Sequence, residues 1–243
     1  KAGMYCDASQ NRYRQHPLDY IESLECAVKD ALTECGKEVA SHVKGIAFDT
    51  TGSTPVMVDR SGTPLALLPE LSENPDAMFI LWKDHTAAQE AAEINELAHS
   101  WPVDYTQYSG GSYSSEWFWA KALHVMRNDA LVREQAFSIV EHCDWMPALL
   151  TGNTDPIKMK RSRCAAGHKA MWNAEWGGFP SQEFLSAIGP LFDVYRSHIS
   201  NETDTADTLA GYLTEEWSTR LGLPRQVAVA VGVIDAHSGA IGA

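Results

Sequence analysis

The sequence predicts an α/β fold on three observations. Apolar residues recur at helical spacing over 17–35, an almost wholly apolar run covers 227–234, and strand-like segments alternate with helical ones between them. Such alternation is typical of α/β domains. The 243 residues are enough for one large domain or two small ones.

The first predicted helix follows a polar, irregular segment at 1–16. Pro17 suits the first turn of a helix. Acidic side chains lie early in 17–35 and Lys29 lies late, as the helix dipole favours. We expect this helix to end near Gly36.

Three apolar runs come next, at 43–49, 56–58 and 78–82. We interpret the first as a buried strand and the second as a short strand, with a loop of small hydroxyl residues between them. A turn follows at 59–62, and 64–75 is interpreted as a connection.

The middle of the chain repeats the alternation of helix and strand. Helical patterns cover 86–98 and surround the aromatic residues 117–119, while 138–140 is a candidate strand. Asp144 is expected to cap a short helix that ends at Gly152.

The last third begins with 151–180, which is rich in turn formers and basic residues and is expected to be flexible. Helical patterns follow at 181–188 and about 211–221, and Pro224 stops the second. The run 227–234 predicts a central strand buried on both faces.

The charge balance argues against two classes of partner. The formal net charge is -13 and the pI is near 5.0. An acidic surface repels nucleic acid phosphates and anionic membranes. No apolar stretch approaches the roughly 20 residues that span a bilayer. We therefore expect neither nucleic acid nor a membrane as a partner.

The five cysteines include no Cys-x-x-Cys pair. An odd number without metal-ligand spacing argues against a disulfide framework and against structural zinc. Reduced thiols are typical of the cytoplasm, and no signal peptide is visible. We therefore expect a cytoplasmic protein.

Asp235 directly follows the apolar run 227–234 and precedes a stretch of small residues. Open α/β sheets bind ligands at the carboxyl ends of their strands. A carboxylate there can take the proton from a substrate hydroxyl that attacks phosphorus, and helix amides after it can stabilise phosphoryl oxygens. The alternative is an aspartate that only caps a helix.

Three further segments carry polar side chains suited to a sugar. The loop 49–54 offers hydroxyls and amides, although a plain turn is the alternative. Asp84, within the segment 82–85, would orient a polyol or cap a helix. Lys169 would bind a sugar oxygen or remain solvated. The tryptophans of 117–119 would stack on a sugar or belong to the core.

Metal and nucleotide motifs were sought among the same residues. Three Asp/His pairs would suit a binuclear hydrolase: Asp235 with His237, Asp84 with His85, and His142 with Asp144. None has the spacing of a known helix-borne metal motif, so we expect no metal site. Neither of the glycine-rich motifs that bind nucleotide phosphates is present.

Six strings, taken in order along the chain, resemble the FGGY carbohydrate kinases. They lie at 49–55, 81–86, 113–121, 143–152, 163–169 and 232–237. Each one alone is a weak signal, but their order makes the resemblance specific. It is closest to the members of the family that phosphorylate L-ribulose.

The resemblance implies two actin-like, ribonuclease-H-like domains with a cleft between them. Residues 1–243 would form most of the first, sugar-binding domain. Asp235 would be the catalytic base for the 5-hydroxyl of L-ribulose, with ATP and Mg²⁺ supplying the phosphoryl group. The substrate-binding residues would be Gly52, Ser53, Thr54, Asp84 and Lys169, and the ATP-binding residues would be Ala236, His237 and Gly239.

Some parts of the family pattern are missing from 1–243. The glycine-rich hairpin that binds phosphate and carries the Mg²⁺-binding carboxylate is expected before Lys1, so the first strands of the domain would be absent. The second, ATP-binding domain is expected after Ala243. We therefore expect 1–243 alone to lack kinase activity, and its own binding of ATP and Mg²⁺ to be doubtful.

Three alternatives stay open at this point. The substrate would be another pentulose or a pentitol, or the chain would be a non-catalytic sugar-binding module. The resemblance also leaves open a homodimer of the full-length enzyme.

Overall fold

The computed structural model describes residues 5–243. Its strands are β1 (Cys6–Asp7), β2 (Arg12–Gln15), β3 (Gly45–Ile46), β4 (Asp49–Thr50), β5 (Pro55–Val58), β6 (Phe79–Ile80), β7 (Ser138–Glu141), β8 (Leu209–Tyr212), β9 (Ala228–Ala230) and β10 (Val233–Ile234). Its helices are α1 (Pro17–Cys35), α2 (Ala88–Ser100), α3 (Phe118–Asn128), α4 (Ala130–Gln135), α5 (His142–Thr151), α6 (Arg163–Lys169), α7 (Gln182–Ile188), α8 (Phe192–Tyr195), α9 (Glu215–Leu221) and α10 (Asp235–Gly242).

Two parallel strand pairs position the candidate loops. β3 pairs parallel with β9, and β8 pairs antiparallel with β9 on its other side. β4 pairs parallel with β10, with Asp49 opposite Val233 and Thr50 opposite Ile234. Since β4 and β10 run in the same direction, the segments that follow them start at the same edge.

The antiparallel pair β5 and β7 separates two hydrophobic cores. Successive side chains of a strand point to opposite faces. Met57 and Ile139 are opposite each other and pack into one core, whereas Val56 and Val140 are opposite each other and pack into the second. A fourth sheet, in the order β1, β2, β6, is antiparallel.

The two cores are built from different helices. The first contains Ile94 of α2, Trp119 of α3 and Phe184 of α7. The second contains Trp145 of α5 and Trp217 of α9. Full burial of each large apolar side chain contributes about 1.5–3 kcal/mol, so both cores hold the β5–β7 pair firmly between them.

Most of the predicted helices are confirmed. α1 spans the predicted 17–35, with Pro17 in its first turn, and Gly36 follows it at φ +92°. The helical predictions at 86–98 and 181–188 match α2 and α7 within two residues.

The prediction of a buried strand at 43–49 is wrong. The segment is divided between β3 and β4, and its side chains are exposed or half-buried. β3 lies at the edge of its sheet, so it pairs with a strand on one side only. Ile46 and Phe48 pack partly against the second core, which accounts for the apolar composition.

The prediction of one continuous strand at 227–234, buried on both faces, is wrong. The segment forms two strands, and only one face of the first is fully buried. β9 and β10 are separate, with residues 231–232 between them. Val227, Val229 and Val231 are buried, but Ala228 and Ala230 are only half-buried. The strand therefore buries one face fully, and small alanines occupy the other.

Three local predictions also need correction. The segment 1–16 was predicted to be irregular, but it contains β1 and β2, while residues 1–4 lie outside the described part. The segment 151–180 was expected to be flexible, but it contains α6, which Ser162 caps by accepting the N–H of Ala165. At 211–221, β8 ends at Tyr212 and the helix begins only at Glu215.

Asp144 does not cap the helix as predicted. α5 starts at His142 with Glu141 at the N-cap position, and Gly152 ends the helix at φ +74°. The buried Asp144 carboxylate instead accepts the N–H of Ser162 at 2.7 Å and lies 3.7 Å from a guanidinium nitrogen of Arg161. Burial raises the pKa of Asp144 to about 7, and Arg161 opposes that effect.

Candidate functional site

Asp235 is the first residue of α10 and follows β10 directly. Ile234 occupies the N-cap position, so Asp235 is not the capping aspartate that was the alternative interpretation. Its side chain is exposed, and its Oδ1 accepts the N–H of Ala236 at 2.7 Å. The exposed carboxylate therefore remains accessible to a ligand at the edge where β4 and β10 end.

The loop after β4 packs directly against β10. A Cβ atom built on Gly52 would lie 3.0 Å from three side-chain atoms of Ile234. Real Cβ contacts are rarely that short, so a side chain at position 52 would displace Ile234 or the loop. The absence of a side chain at Gly52 thus brings the loop backbone close to Asp235.

Ser53 and Thr54 are completely buried and are fixed by Glu141 at the end of β7. The Ser53 hydroxyl donates a hydrogen bond to Glu141 Oε1, and the Thr54 N–H donates to Glu141 Oε2 at 2.8 Å. The Thr51 and Thr54 hydroxyls lie 3.0 Å apart. The side chains at 53 and 54, the Ser53 carbonyl oxygen and both backbone groups of Thr54 thus hold the loop in place, and Gly52 is its less buried member.

Lys121 ties this loop to the end of β6. Its Nζ donates hydrogen bonds to the carbonyl oxygen of Ser53 at 2.7 Å and to that of Leu81 at 2.8 Å. The side chain is buried in α3, and this burial lowers the pKa of Lys121 to about 7, while Glu141 and Asp84 oppose the shift. Lys121 therefore connects two of the segments predicted to contact a sugar.

Lys169 is the last residue of α6 and is held within the same cluster. Its Nζ lies 5.1 Å from the ring centroid of Trp117. Burial lowers the pKa of Lys169, whereas the negative charges of Glu141, Glu116 and Asp235 raise it. A partly buried ammonium among carboxylates is suited to donating hydrogen bonds to a hydroxyl or carbonyl oxygen.

His237 joins α10 to α6. Its Nδ1 lies 2.7 Å from the Sγ of Cys164, and its Nε2 lies 3.1 Å from the Nδ1 of His168. The two imidazole rings stack with their centroids 5.1 Å apart. Burial lowers the pKa of His168 to about 4, so the His168 ring is uncharged near neutral pH.

The other two predicted ATP-binding residues lie on the exposed side of α10. Ala236 and Gly239 are both exposed, and a Cβ built on Gly239 would meet no atom within 4 Å. The first turn of α10 therefore has space around it for a ligand.

Asp84 is buried and its carboxylate oxygens already accept four hydrogen bonds. Oδ2 accepts the N–H of Tyr13 at 2.6 Å and a guanidinium N–H of Arg14. Oδ1 accepts the N–H and the hydroxyl of Thr86 at 3.1 and 2.6 Å. Since α2 is capped at Ala87, Asp84 is not a helix cap, and its contact with a sugar stays a prediction.

Glu141 and Lys121 were not identified from the sequence. Each is a single charged residue inside an apolar segment, which is a signal of a buried polar role. Glu141 is buried, and burial raises its pKa, while hydrogen bonds from Ser53 and Thr54 and the charges of Lys121 and Lys169 lower it. It is the carboxylate shared by the loop and both lysines.

Two kinds of feature are missing from residues 5–243. No group of three or more His, Cys, Asp or Glu side chains in that range could hold a metal ion. No helix in the same range is long and apolar enough to cross a membrane.

The chain is similar in sequence to curated ribulokinases. It is 52% identical to the ribulokinase of Vibrio parahaemolyticus over 242 residues, which are 99% of this chain and 43% of that protein. It is 35% identical to the ribulokinase of Bacillus licheniformis over 224 residues, which are 92% of this chain and 39% of that protein. The chain thus spans less than half the length of these relatives. No family model matches it.

Solved structures share the fold at lower sequence identity. The xylulose kinase of Lactobacillus acidophilus superimposes with a TM-score of 0.71 at 13% identity, over 96% of this chain and 42% of that one. The glycerol kinase of Plasmodium falciparum superimposes with a TM-score of 0.70 at 15% identity, over the same shares. The chain is therefore a homologue of the ribulokinases over less than half of their length, and its α/β fold matches that of these two solved sugar kinases over 42% of their length.

Proposed function

We propose that the chain is the sugar-binding part of an ATP-dependent L-ribulokinase. The homology to ribulokinases supports ribulose as the substrate. The single observation that carries the proposal is the parallel pairing of β4 with β10, since it brings Gly52 against Ile234 and next to Asp235. The product would be L-ribulose 5-phosphate, in the catabolism of L-arabinose, and we propose a cytoplasmic location.

Asp235 is proposed to act as the general base. Its exposed carboxylate would accept the proton of the 5-hydroxyl as that oxygen attacks phosphorus. A positioned base of this kind contributes about 10²–10⁴ to the rate.

The loop and Lys169 are proposed to bind the sugar. Within 52–54 the backbone of Gly52 would contact its hydroxyls, because the Ser53 and Thr54 side chains, the Ser53 carbonyl and the Thr54 backbone are already hydrogen-bonded within the protein, and these two residues would line the pocket from behind. Lys169 would donate to a hydroxyl or to the ketose carbonyl. Asp84 is proposed to border the pocket. Its carboxylate already accepts four hydrogen bonds, which favours an indirect role. The Asp84 N–H and the Lys121 ammonium both donate to the Leu81 carbonyl oxygen, and this shared contact links Asp84 to the loop.

ATP would supply the phosphoryl group, and the first turn of α10 suits its phosphates. Unpaired N–H groups at a helix N-terminus attract anions. Ala236 and Gly239 are exposed with space around them, whereas His237 is held by Cys164 and His168 and would keep α10 in place.

Mg²⁺ fits less well with the described side chains alone. No cluster of three potential ligands is present in 5–243. Mg²⁺ is commonly bound by one or two carboxylates together with substrate phosphates and water. These residues therefore do not form a magnesium site by themselves, and the roles proposed for Asp235 and Lys169 do not depend on one.

The test is sugar binding and turnover measured on the same protein. Isothermal titration of residues 1–243 with L-ribulose, D-ribulose, L-xylulose and ribitol is expected to give the tightest binding for L-ribulose. A coupled assay with ATP is expected to give no turnover for 1–243. It should give turnover for a kinase of the relatives' full length that carries this chain. Preference for another of the four sugars would reassign the substrate, and absence of binding to all of them would contradict the proposal.

A further inference from the structure

Glu141 contacts the loop of the candidate site through both of its carboxylate oxygens. Its carboxylate receives the Ser53 hydroxyl on one oxygen and the Thr54 N–H on the other. It is buried at the point where β7 becomes α5, and β7 pairs with β5, which follows the loop. The hydrogen-bonded pair of β5 and β7 therefore fixes the position of the Glu141 carboxylate, and this carboxylate fixes the position of the loop at Ser53 and Thr54.

The same carboxylate faces two buried ammonium groups. Lys121 reaches the loop from α3, donating to the Ser53 carbonyl, and Lys169 comes from the end of α6. Both interact electrostatically with Glu141. Buried lysines without a nearby anion tend to lose their proton, because burial disfavours the charged form.

We propose that Glu141 is a positioning residue of the sugar site, which fixes the loop through two hydrogen bonds and supplies a negative charge to Lys169, the lysine that would donate to the sugar. The second half of this statement rests on the proposed function, since it assumes that Lys169 binds the sugar. The first half rests only on the contacts of Glu141.

Lys169 and Glu141 each interact electrostatically with further titratable groups besides each other. Lys169 also faces Glu116, Asp235 and Cys164, with His168 next to it in α6. Glu141 also acts on Tyr113, Cys143, Asp144 and Arg161. Among the carboxylates that act on Lys169, Glu141 is the strongest, so its removal should affect that lysine most.

The test separates the charge of Glu141 from its hydrogen bonds. Glu141→Gln keeps the shape and can still bond to Ser53 and Thr54, but it removes the charge. Competitive labelling with acetic anhydride, followed by peptide mapping, gives the protonation midpoint of Lys169 without any sugar. We expect the midpoint to fall, so that more of Lys169 is free amine at a fixed pH. Glu90→Gln removes a similarly buried carboxylate that pairs with His124 and Arg127, and it should leave Lys169 unchanged.

Glu141→Asp tests the other half, and it serves if Glu141→Gln does not fold. The shorter side chain keeps the charge but cannot reach both donors. L-ribulose binding measured by calorimetry should weaken about tenfold, with the Lys169 midpoint unchanged. An unshifted Lys169 midpoint in folded Glu141→Gln, or unchanged sugar affinity in folded Glu141→Asp, would overturn the proposal. If the unmodified chain binds no sugar, the proposed function fails, while the labelling result still decides the charge role of Glu141.

Discussion

The Nζ atom of Lys121 lies 2.7 Å from the carbonyl oxygen of Ser53. This bond joins the aromatic helix α3 to the loop that follows β4. A second bond from the same ammonium reaches Leu81, so one buried side chain determines the distance between two separate segments of the candidate site.

Replacing Lys121 should therefore destabilise the fold. Lys121→Met keeps the length of the side chain but removes the donor to the buried Ser53 carbonyl oxygen, while the Leu81 carbonyl oxygen keeps the Asp84 N–H. The unsatisfied Ser53 oxygen costs about 1–3 kcal/mol, so the free energy of unfolding should fall by about that amount. Urea denaturation followed by circular dichroism measures it. Lys158→Met, at a lysine that is 83% exposed, should change stability by less than about 0.5 kcal/mol. Equal stability of the two variants would refute the role of Lys121.

A variant of Asp84 can distinguish a structural role of this residue from direct contact with the sugar. Asp84→Asn keeps the shape but removes the charge that Arg14 faces at a buried position. Breaking a buried ion pair by removing one partner costs about 3 kcal/mol. We expect a lower denaturation midpoint and, at a temperature where the variant is folded, sugar affinity within about threefold of the unmodified chain, because Asp84 acts through other residues. A larger loss of affinity in the folded variant would instead indicate direct sugar contact.

The close contact between Gly52 and Ile234 predicts a specific loss and a specific rescue. Gly52→Ala places a methyl group 3.0 Å from Ile234 atoms. Overpacking of this kind costs about 1–3 kcal/mol, and we expect L-ribulose affinity to fall by about tenfold as the loop moves. Ile234→Val in the same chain removes one of the contacted methyl groups and should restore part of the affinity. Calorimetry on the single and double variants decides the matter, and a double variant no better than Gly52→Ala would argue against this packing.

His142 should make the stability sensitive to acid. It is buried beside Tyr20 and Phe79, and burial lowers its pKa to about 3 from an ordinary value of 6.5. Below pH 6.5 the unfolded chain binds a proton that the folded chain does not. His142 therefore contributes stability that is complete above pH 6.5 and decreases by ~1.4 kcal/mol per pH unit as the pH falls towards 3.

A matched variant isolates this contribution, because the raised pKa of Asp144 acts in the opposite direction over much of the same range. His142→Phe keeps an aromatic ring and removes the titrating group. The difference in unfolding free energy between the two proteins should change by about 2 kcal/mol between pH 6.5 and 5. A constant difference over that range would mean that His142 is not buried in a neutral form.

Local sequence patterns predicted the helices better than the strands. α1 was readable because its apolar spacing, its proline in the first turn and Gly36 after its end all agree. The segments 43–49 and 227–234 were predicted to be longer and more buried than they are, because apolar composition does not reveal that a strand lies at an edge or is interrupted.

The candidate site was predictable only in part. Asp235 stood out through its place after an apolar run, and Gly52 through its place in a loop after a strand. Glu141 and Lys121 did not, because their partners lie 87 and 68 residues away along the chain, and only the β5–β7 pairing and the packing of α3 bring them together.

The most direct test of the central claim is the turnover number of Asp235→Asn in a kinase of the relatives' full length that carries this chain. We predict that kcat for L-ribulose falls by about 10²–10⁴, with sugar affinity within about tenfold, because only the general base is lost. Asp193→Asn, at an exposed position on α8, is the matched control and should keep kcat unchanged. A kcat for Asp235→Asn within about threefold of the unmodified enzyme would contradict the assignment of Asp235 as the base.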